Sequence, residues 1–240
     1  MTNSIPSDLV NRSQQLLTEA IVLADAWRHA GRWMDAQTLL IGMEPVAHDI
    51  GPAGMSRHAL TVGRLLTDYA TFGGADTLAE RDAALATALP YAEQTDDDAL
   101  LGAIWDAKGM SLHTAYLDTG RTAEPADELP AFERSLAYRQ QANDQAGIAE
   151  SLFHVGLVYG VIRDDHKRAL PYFQQSYALA QAIEDDIIAS YAIRHIGFAH
   201  YANGDVAAAR ANVAESLHLR EAAGFIPGVA MALGLASASC

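Results

Sequence analysis

The chain has 240 residues, of which 50% are hydrophobic and 19% are charged, a balance that excludes wholesale disorder and is typical of a folded protein. Its formal net charge is −14 and its pI is near 4.9. A surface this acidic repels phosphates, so the composition argues against non-specific binding to nucleic acid.

Helical spacing of apolar residues predicts a series of helix pairs, each joined by a turn. In the first pair, apolar positions keep this spacing from Leu9 to Trp27, Gly31 forms the turn, and Gly51-Pro52 ends the second helix. The predicted pairs cover 7–50, 54–95, 97–143, 145–184 and 186–224, and a final capping helix covers 225–239. We therefore predict a single repeat domain over 1–240, with its longest linker at 118–127.

Small residues recur in the first helix of each predicted pair, where a close approach of two helix backbones requires them. Gly197 shows the layout most clearly, since it precedes Ala209 and the breaker Asn203-Gly204-Asp205 lies between them. The recurring small residues, at intervals of 37 to 47 residues, are Ala24, Gly63, Gly109, Gly156, Gly197 and Gly234. No strand-like alternation interrupts the series, so we predict an all-α solenoid of about five antiparallel helical hairpins and a C-terminal capping helix.

Leu-Pro pairs recur with a similar period. Their prolines, Pro90, Pro130 and Pro171, lie 40 and 41 residues apart. We expect Pro130 and Pro171 in the first turn of their helices, where a missing N–H costs little. At Pro90, which falls later in its predicted helix, we expect either a kink or a helix boundary at a different place.

The pattern resembles the tetratricopeptide repeat, whose first helix carries Leu-Gly and an aromatic residue three positions later, followed by Ala and Phe in the second helix. Val155-Gly156 with Tyr159, then Ala169 and Phe173, carries the resemblance most closely. The intervals here exceed the usual repeat of about 34 residues. The resemblance implies a right-handed superhelix whose first helices line a concave inner face, and this face would bind a peptide or protein.

The candidate binding residues are those that project from the first helices away from the packed small residues. They are Arg28, His29, Arg57, Arg64, His113, Tyr191, Arg194 and Tyr201. Arginine and histidine on one face of an otherwise acidic protein favour a carboxylate-bearing ligand, such as an acidic peptide or a chain terminus, held by arginine forks. The alternative is that the arginines pair with acidic residues projected onto the same face across neighbouring helices. Those residues are Asp25, Asp68, Asp106 and Glu150.

Other acidic and histidine clusters are interpreted as parts of the scaffold. Asp96–Asp98 and Asp185-Asp186 lie where helices should begin, so we expect helix caps rather than catalytic carboxylates. Asp164–His166 is interpreted as a polar turn, and His195 and His200 do not have the spacing of a helical zinc pair. The aromatic residues at helical spacing, which we expect to pack in the core, are Tyr159, Phe173, Tyr177 and Phe198.

The leading hypothesis is a non-catalytic scaffold that binds an acidic peptide or protein on its concave face. One alternative is a ligand-sensing regulatory or oligomerisation module that acts with a separate effector chain, and another is an enzyme with a groove active site. No phosphate loop, zinc motif or nucleophile elbow is present in the sequence, so no cofactor or metal is predicted. Cys240 is the only cysteine, and 1–24 has neither a signal core nor a membrane span, so we expect a cytoplasmic protein.

Overall fold

The computed structural model describes residues 7–121 and 127–234, and every regular element in these ranges is helical. The α-helices are α1 Ser7–His29, α2 Trp33–Ile50, α3 Pro52–Gly73, α4 Leu78–Ala92, α5 Asp98–Asp118, α6 Leu129–Gln141, α7 Gln145–Leu157, α8 His166–Ala182, α9 Asp186–Ala202, α10 Val206–Ala222 and α11 Ile226–Ala232. A π-helical turn, Val158–Ile162, continues α7. The first part of the predicted linker, up to Arg121, is described, whereas its residues 122–126 lie outside these ranges.

The helices pack in chain order as a solenoid-like array. Each helix contacts the next, and the first helices of successive pairs, α1, α3, α5, α7 and α9, also contact one another along one face. The prediction of an all-α solenoid of helix pairs is therefore confirmed. The handedness of its superhelix stays a prediction.

Aspartate side chains begin five of the helices. Asp97, Asp144, Asp165, Asp185 and Asp205 each accept a hydrogen bond from a backbone N–H in the first turn of the helix that follows. Such a cap satisfies a donor that has no partner inside the helix. The acidic clusters at 96–98 and 185–186 thus supply caps, as the sequence predicted.

Glycines allow the two helices of a pair to approach closely. A Cβ atom on Gly156 would lie 2.6 Å from Cε1 of Phe173, and one on Gly109 would lie 2.5 Å from Cε1 of Phe132. Both phenylalanines are buried, so neither ring has room to move away. Gly234 is different, because it follows α11 and has a φ of 72°, so it lies in the turn that ends the helix rather than within it.

Several predicted boundaries shift in the structure. Pro171 lies in the second turn of α8, and Pro90 lies inside α4, which continues to Ala92. Pro130 lies in the first turn of α6, as expected. The last part of the predicted cap, 235–239, lies outside the described residues.

The C-terminal helix joins the two ends of the array. α11 packs against α10 and also against α3 of the second pair. Phe225, which precedes α11 and is 1% exposed, has its ring centroid 5.6 Å from that of Phe72, 5.9 Å from that of His29 and 5.8 Å from that of Tyr191. These rings belong to α3, α1 and α9, so the concave face is closed into a ring of helices around a central space.

One stretch of the described chain is apolar enough to cross a membrane by length and composition. This stretch, Gln145–Ile162, comprises α7 and its π-helical turn, and 61% of it is buried inside the protein. A core helix of a folded domain has the same character, and the packing of α7 against α6, α8 and α9 accounts for its composition.

We predict that Gly156→Ala lowers the free energy of unfolding by about 1–3 kcal/mol, because the new methyl group would overlap the ring of Phe173. Gly42→Ala is the matched control. Its Cβ would meet no atom within 4 Å, so this substitution should raise the free energy of unfolding by about 0.5–1 kcal/mol through helix propensity alone. Urea unfolding followed by circular dichroism measures both. Equal stabilities for the two variants would contradict the packing role of Gly156.

Candidate ligand-binding cavity

A cavity of about 1170 Å³ occupies the space enclosed by the ring of helices. α1, α3, α5, α7 and α9 form its wall on one side, and Phe225 and Met231 complete the wall at the C-terminal end. Its volume lies slightly above the range of roughly 300–1,000 Å³ that is usual for small-molecule sites. The π-helical turn also lines it, and such turns are frequent at functional sites.

Most of the residues selected from the sequence lie at this cavity. Its walls include Arg28, His29, Arg64, His113, Tyr191 and Tyr201. Arg57 does not line the cavity, because it lies near the start of α3, where its Nη2 donates to Oδ2 of Asp97 at 2.6 Å. Arg194 also lies outside, with its guanidinium group over the ring of Phe198. Binding by any of these eight residues stays a prediction.

Arg28 is engaged by carboxylates, as the alternative interpretation proposed. Its Nε donates to Oδ1 of Asp25 at 3.0 Å, and its Nη1 donates to Oδ2 of Asp68. Burial alone would lower the pKa of Arg28, but the two carboxylates more than offset this and raise it above its ordinary value. Arg28 therefore stabilises the contact between α1 and α3 and has a reduced capacity to hold a ligand.

Arg64 forms fewer hydrogen bonds than Arg28 does among the described residues. Its Nη2 donates to Oε2 of Glu150 at 3.1 Å, and the same oxygen accepts from Nη2 of Arg139 at 2.6 Å. Burial by itself would raise the pKa of Glu150, but Arg64 and Arg139 hold that pKa well below its usual range, so the carboxylate is charged. Within the described residues, Nε and Nη1 of Arg64 donate to no protein group, and both belong to a side chain that lines the cavity.

Arg139 organises the polar wall, although sequence reasoning did not select it. It lies on α6, is 1% exposed, and its Nη1 donates to Oγ of Ser151 at 2.7 Å and approaches Oδ1 of Asp106 at 3.3 Å. Its Nη1 also donates to the backbone oxygen of Gly147 at 2.8 Å. Arg220 and Gly228 repeat this contact at the same separation of eight residues and the same 2.8 Å. The repeated Arg-to-Gly spacing is the sequence signal that would have identified Arg139.

Two histidines of the wall are fixed by buried carboxylates. Nδ1 of His154 lies 2.9 Å from Oδ1 of Asp106, and Nδ1 of His113 lies 2.7 Å from Oε1 of Glu128. Each pair leaves the other ring nitrogen, Nε2, without a partner among the described groups, on a residue that lines the cavity. These are the groups that the hypothesis of a groove enzyme would use for proton transfer.

An aromatic wall adjoins the charged one. The ring of Phe153 lies 5.5 Å from that of Tyr191 and 5.1 Å from that of His195, and Phe153 is one helical turn beyond Glu150 on α7. Nδ1 of His195 donates to the backbone oxygen of Tyr191 at 2.9 Å, so Nε2 is an acceptor when the ring is neutral. Burial lowers the pKa of His195 to about 4, which keeps the ring neutral at pH 7.

The predicted core aromatics divide between core and cavity. Tyr159 is 2% exposed and Phe173 is 1% exposed, so both are core residues, although Phe173 also contributes to the cavity wall. Phe198 is 40% exposed and lies at the cavity beside Arg194. Across 7–121 and 127–234, no group of three His, Cys, Asp or Glu side chains is placed to hold a metal ion.

We predict that Arg139→Ala lowers the free energy of unfolding by about 3–5 kcal/mol, because it leaves Asp106 buried without its arginine. Arg134→Ala on the same helix is the control. Arg134 is exposed and stacks on Trp105, so its loss should lower stability by about 1 kcal/mol or less. Urea unfolding of both variants tests this, and similar losses would contradict the structural role of Arg139.

We predict that His195→Phe weakens the pH dependence of stability between pH 6.5 and pH 4. In this window the unfolded chain binds a proton at His195 and the folded chain does not, so the free energy of unfolding of the wild type falls as the pH falls. In the variant, the slope of the free energy of unfolding against pH should be smaller by an amount that corresponds to at most one bound proton. Some dependence will persist, because burial also lowers the pKa of His29. Identical slopes in chemical unfolding at several pH values would contradict the assignment.

Comparisons with known proteins support the fold. The chain is similar to a solved structure, BtubC (BKLC) from P. vanneervenii, with a TM-score of 0.53 over 91% of this chain and 85% of that one. The two sequences are 17% identical, so the similarity extends to the helical-repeat architecture and no further. No family model and no curated protein matches the sequence.

Proposed function

We propose that the protein is a non-catalytic binding module that takes up a short acidic peptide segment in its central cavity. The observation that carries the proposal is the cavity itself, in which polar and aromatic walls from five helix pairs face one central space. The resemblance to tetratricopeptide repeats agrees with it, because in that family the first helices form the binding face. The 17% identity to BtubC contributes only to the fold.

The closure of the array limits the shape of the ligand. Phe225 and α11 connect the two ends, so the concave face is not an open trough along which a long extended chain could lie. A chain end or a short segment fits a cavity of about 1170 Å³ better than a folded partner does. The proposed ligand is therefore a short segment presented by its partner.

The proposed charge of the ligand follows from Arg64, which forms the fewest ion pairs of the three arginines Arg28, Arg64 and Arg139 in the described part of the chain. Arg28 and Arg139 each form ion pairs with two carboxylates, whereas Arg64 forms an ion pair with Glu150 alone among the described residues. The contact with Glu150 orients Arg64 and leaves N–H groups that suit a carboxylate oxygen. A carboxylate on the ligand would thus complete the hydrogen bonding of Arg64.

A ligand-sensing regulatory module is the second candidate, and the contacts of Phe225 favour it. Phe225 links α1, α3 and α9, and it also lines the cavity. A ligand that contacts these elements would stabilise the closed ring over an opened one, and a separate effector chain could respond to that difference. The first candidate requires no such response.

We predict that Thr71→Trp blocks peptide capture. Thr71 is exposed and lines the cavity, so the indole should occupy space at the ligand site without disturbing the core. Thr87→Trp is the matched control, because Thr87 is also an exposed helical threonine that bonds the backbone four residues earlier, but it lies away from the cavity.

The measurement uses a pooled library of acidic N-acetylated hexapeptides, captured with the protein by size exclusion and identified by mass spectrometry. The wild type and Thr87→Trp should retain the same peptides, and Thr71→Trp should retain at least tenfold less. Retention that is unaffected by Thr71→Trp, or absent from the wild type, would overturn the proposal.

We predict that Arg64→Gln weakens binding of a captured peptide by about 10- to 100-fold, because it removes charge-assisted hydrogen bonds to a carboxylate. Arg57→Gln, on the same helix but paired with Asp97 outside the cavity, should change the affinity less than twofold. Isothermal titration at two salt concentrations should also show a smaller salt dependence for Arg64→Gln. Equal affinities of the two variants would remove Arg64 from the site.

A further inference from the structure

Three arginines at the cavity or beside it carry a buried guanidinium nitrogen that donates to no protein group in the described ranges, namely Nε of Arg139, Nη1 of Arg194 and Nη2 of Arg220. Arg139 is paired with carboxylates, whereas Arg194 on α9 and Arg220 on α10 form no ion pair within these ranges. Arg220 is fully buried, with Nη1 bonded to the backbone oxygen of Gly228 and its guanidinium group 5.1 Å from the ring centroid of Tyr191. A buried charged group is normally paired, so the fully buried Arg220, which has no carboxylate partner in these ranges and feels the charge of the partly buried Arg194, calls for an explanation.

The chain contains its own reference for this arrangement. Arg139 occupies the same place in the third pair as Arg220 does in the fifth, since each donates to a glycine oxygen eight residues later. Arg139, however, is balanced by two carboxylates, Asp106 at 3.3 Å and Glu150 at 2.6 Å. We call the surroundings of Arg139 the first arginine site and those of Arg220 the second arginine site. Both have a buried arginine, and they differ in the side chains around it.

Both carboxylates are replaced at the second site. Asp106 lies one turn before the packed glycine Gly109, and Arg194 lies one turn before the equivalent Gly197. Glu150 lies 11 residues after Arg139, and the residue at that separation from Arg220 is Met231. Arg139 thus has two negative groups around it, Asp106 from α5 and Glu150 from α7, whereas the equivalent positions around Arg220 hold a second arginine on α9 and a neutral side chain on α11.

The electrostatics of the two sites differ accordingly. Although burial opposes it, Asp106 and Glu150 raise the pKa of Arg139. Burial lowers the pKa of both Arg194 and Arg220, and Arg194 lowers that of Arg220 further. Among the described residues, Tyr191 alone opposes these changes, and no carboxylate does. The second site thus has an excess of buried positive charge.

We propose that Arg194 and Arg220, with the hydroxyl group of Tyr191, form a binding site for a small oxyanion such as a phosphate group. The anion supplies the negative charge that Asp106 and Glu150 supply at Arg139, and guanidinium groups match the oxygens of phosphate in geometry. Burial raises the pKa of Tyr191, so its hydroxyl group stays protonated and is available as a donor. Tyr191 and Met231 also line the central cavity, so an oxyanion carried by a larger ligand reaches the site from that side.

The test measures thermal unfolding in inorganic phosphate against chloride at equal ionic strength and pH. The melting temperature of the wild type should rise by about 5 °C at saturating phosphate. Phenyl phosphate forms a second arm. A larger shift with phenyl phosphate than with inorganic phosphate identifies an anion that belongs to a cavity ligand, and equal shifts identify a free ion.

Two variants restore the missing carboxylates and keep the test independent of any loss of fold. Arg194→Asp and Met231→Glu place an acid at the positions equivalent to Asp106 and Glu150, so each should melt at a higher temperature than the wild type in chloride and lose the response to phosphate. Arg210→Asp, an exposed change of the same charge on α10, should keep the response. A wild type that does not respond to either phosphate, or an Arg194→Asp variant that responds as the wild type does, overturns the site. Neither result bears on peptide capture, which is measured separately.

Discussion

The contact of Phe225 with rings from three separate helices is the constraint on which the rest of the structure depends. A helical array built from local pairs has two ends, and nothing in pairwise packing forces them to meet. Here one buried aromatic residue lies against Phe72, His29 and Tyr191, which belong to the second, first and fifth pairs. The concave face therefore becomes the wall of a cavity rather than an open groove.

Enclosure changes the behaviour of the charged residues inside. On an open face, an arginine and a neighbouring carboxylate are largely hydrated and contribute little to stability. Inside the ring, Glu150 is held between Arg64 and Arg139, and these contacts keep its pKa below its usual range although burial would raise it. The polar wall is thus part of the scaffold as well as a surface for a ligand. A residue with donors to spare, such as Arg64, differs from one whose donors are used, such as Arg28.

The sequence predicts local features well because they depend on neighbours in the chain. Gly156 opposite Phe173, and Asp185 at the start of α9, follow from helical periodicity and capping chemistry. The salt bridges of the cavity cannot be predicted in this way. Arg64 and Glu150 lie 86 residues apart in the sequence and meet only because of how the pairs stack. The position of Arg57 relative to the cavity also depends on stacking. Arg57 lies on the predicted helix, but too near the start of α3 to reach the cavity.

Closure itself could not be predicted from the sequence. It depends on the curvature accumulated over five pairs, and a small change in each helix crossing would separate Phe225 from Phe72. The role of Arg139 is not predictable for a different reason. Arg139 lies on a second helix, whereas the repeat pattern places binding residues on first helices, and only the recurrence of its contact with Gly147 at Arg220 and Gly228 reveals the role.

The most direct test of the account is the distance between the two ends of the array in solution. Spin labels at Ala30→Cys and Ile226→Cys, in a Cys240→Ser background, occupy exposed positions beside Gly31 and Pro227, which are neighbours across the closure. The account predicts strong dipolar broadening of the continuous-wave spectrum, and loss of that broadening in Phe225→Ala. A spectrum of the doubly labelled protein without broadening would show that the ends lie apart and that the cavity is an open groove.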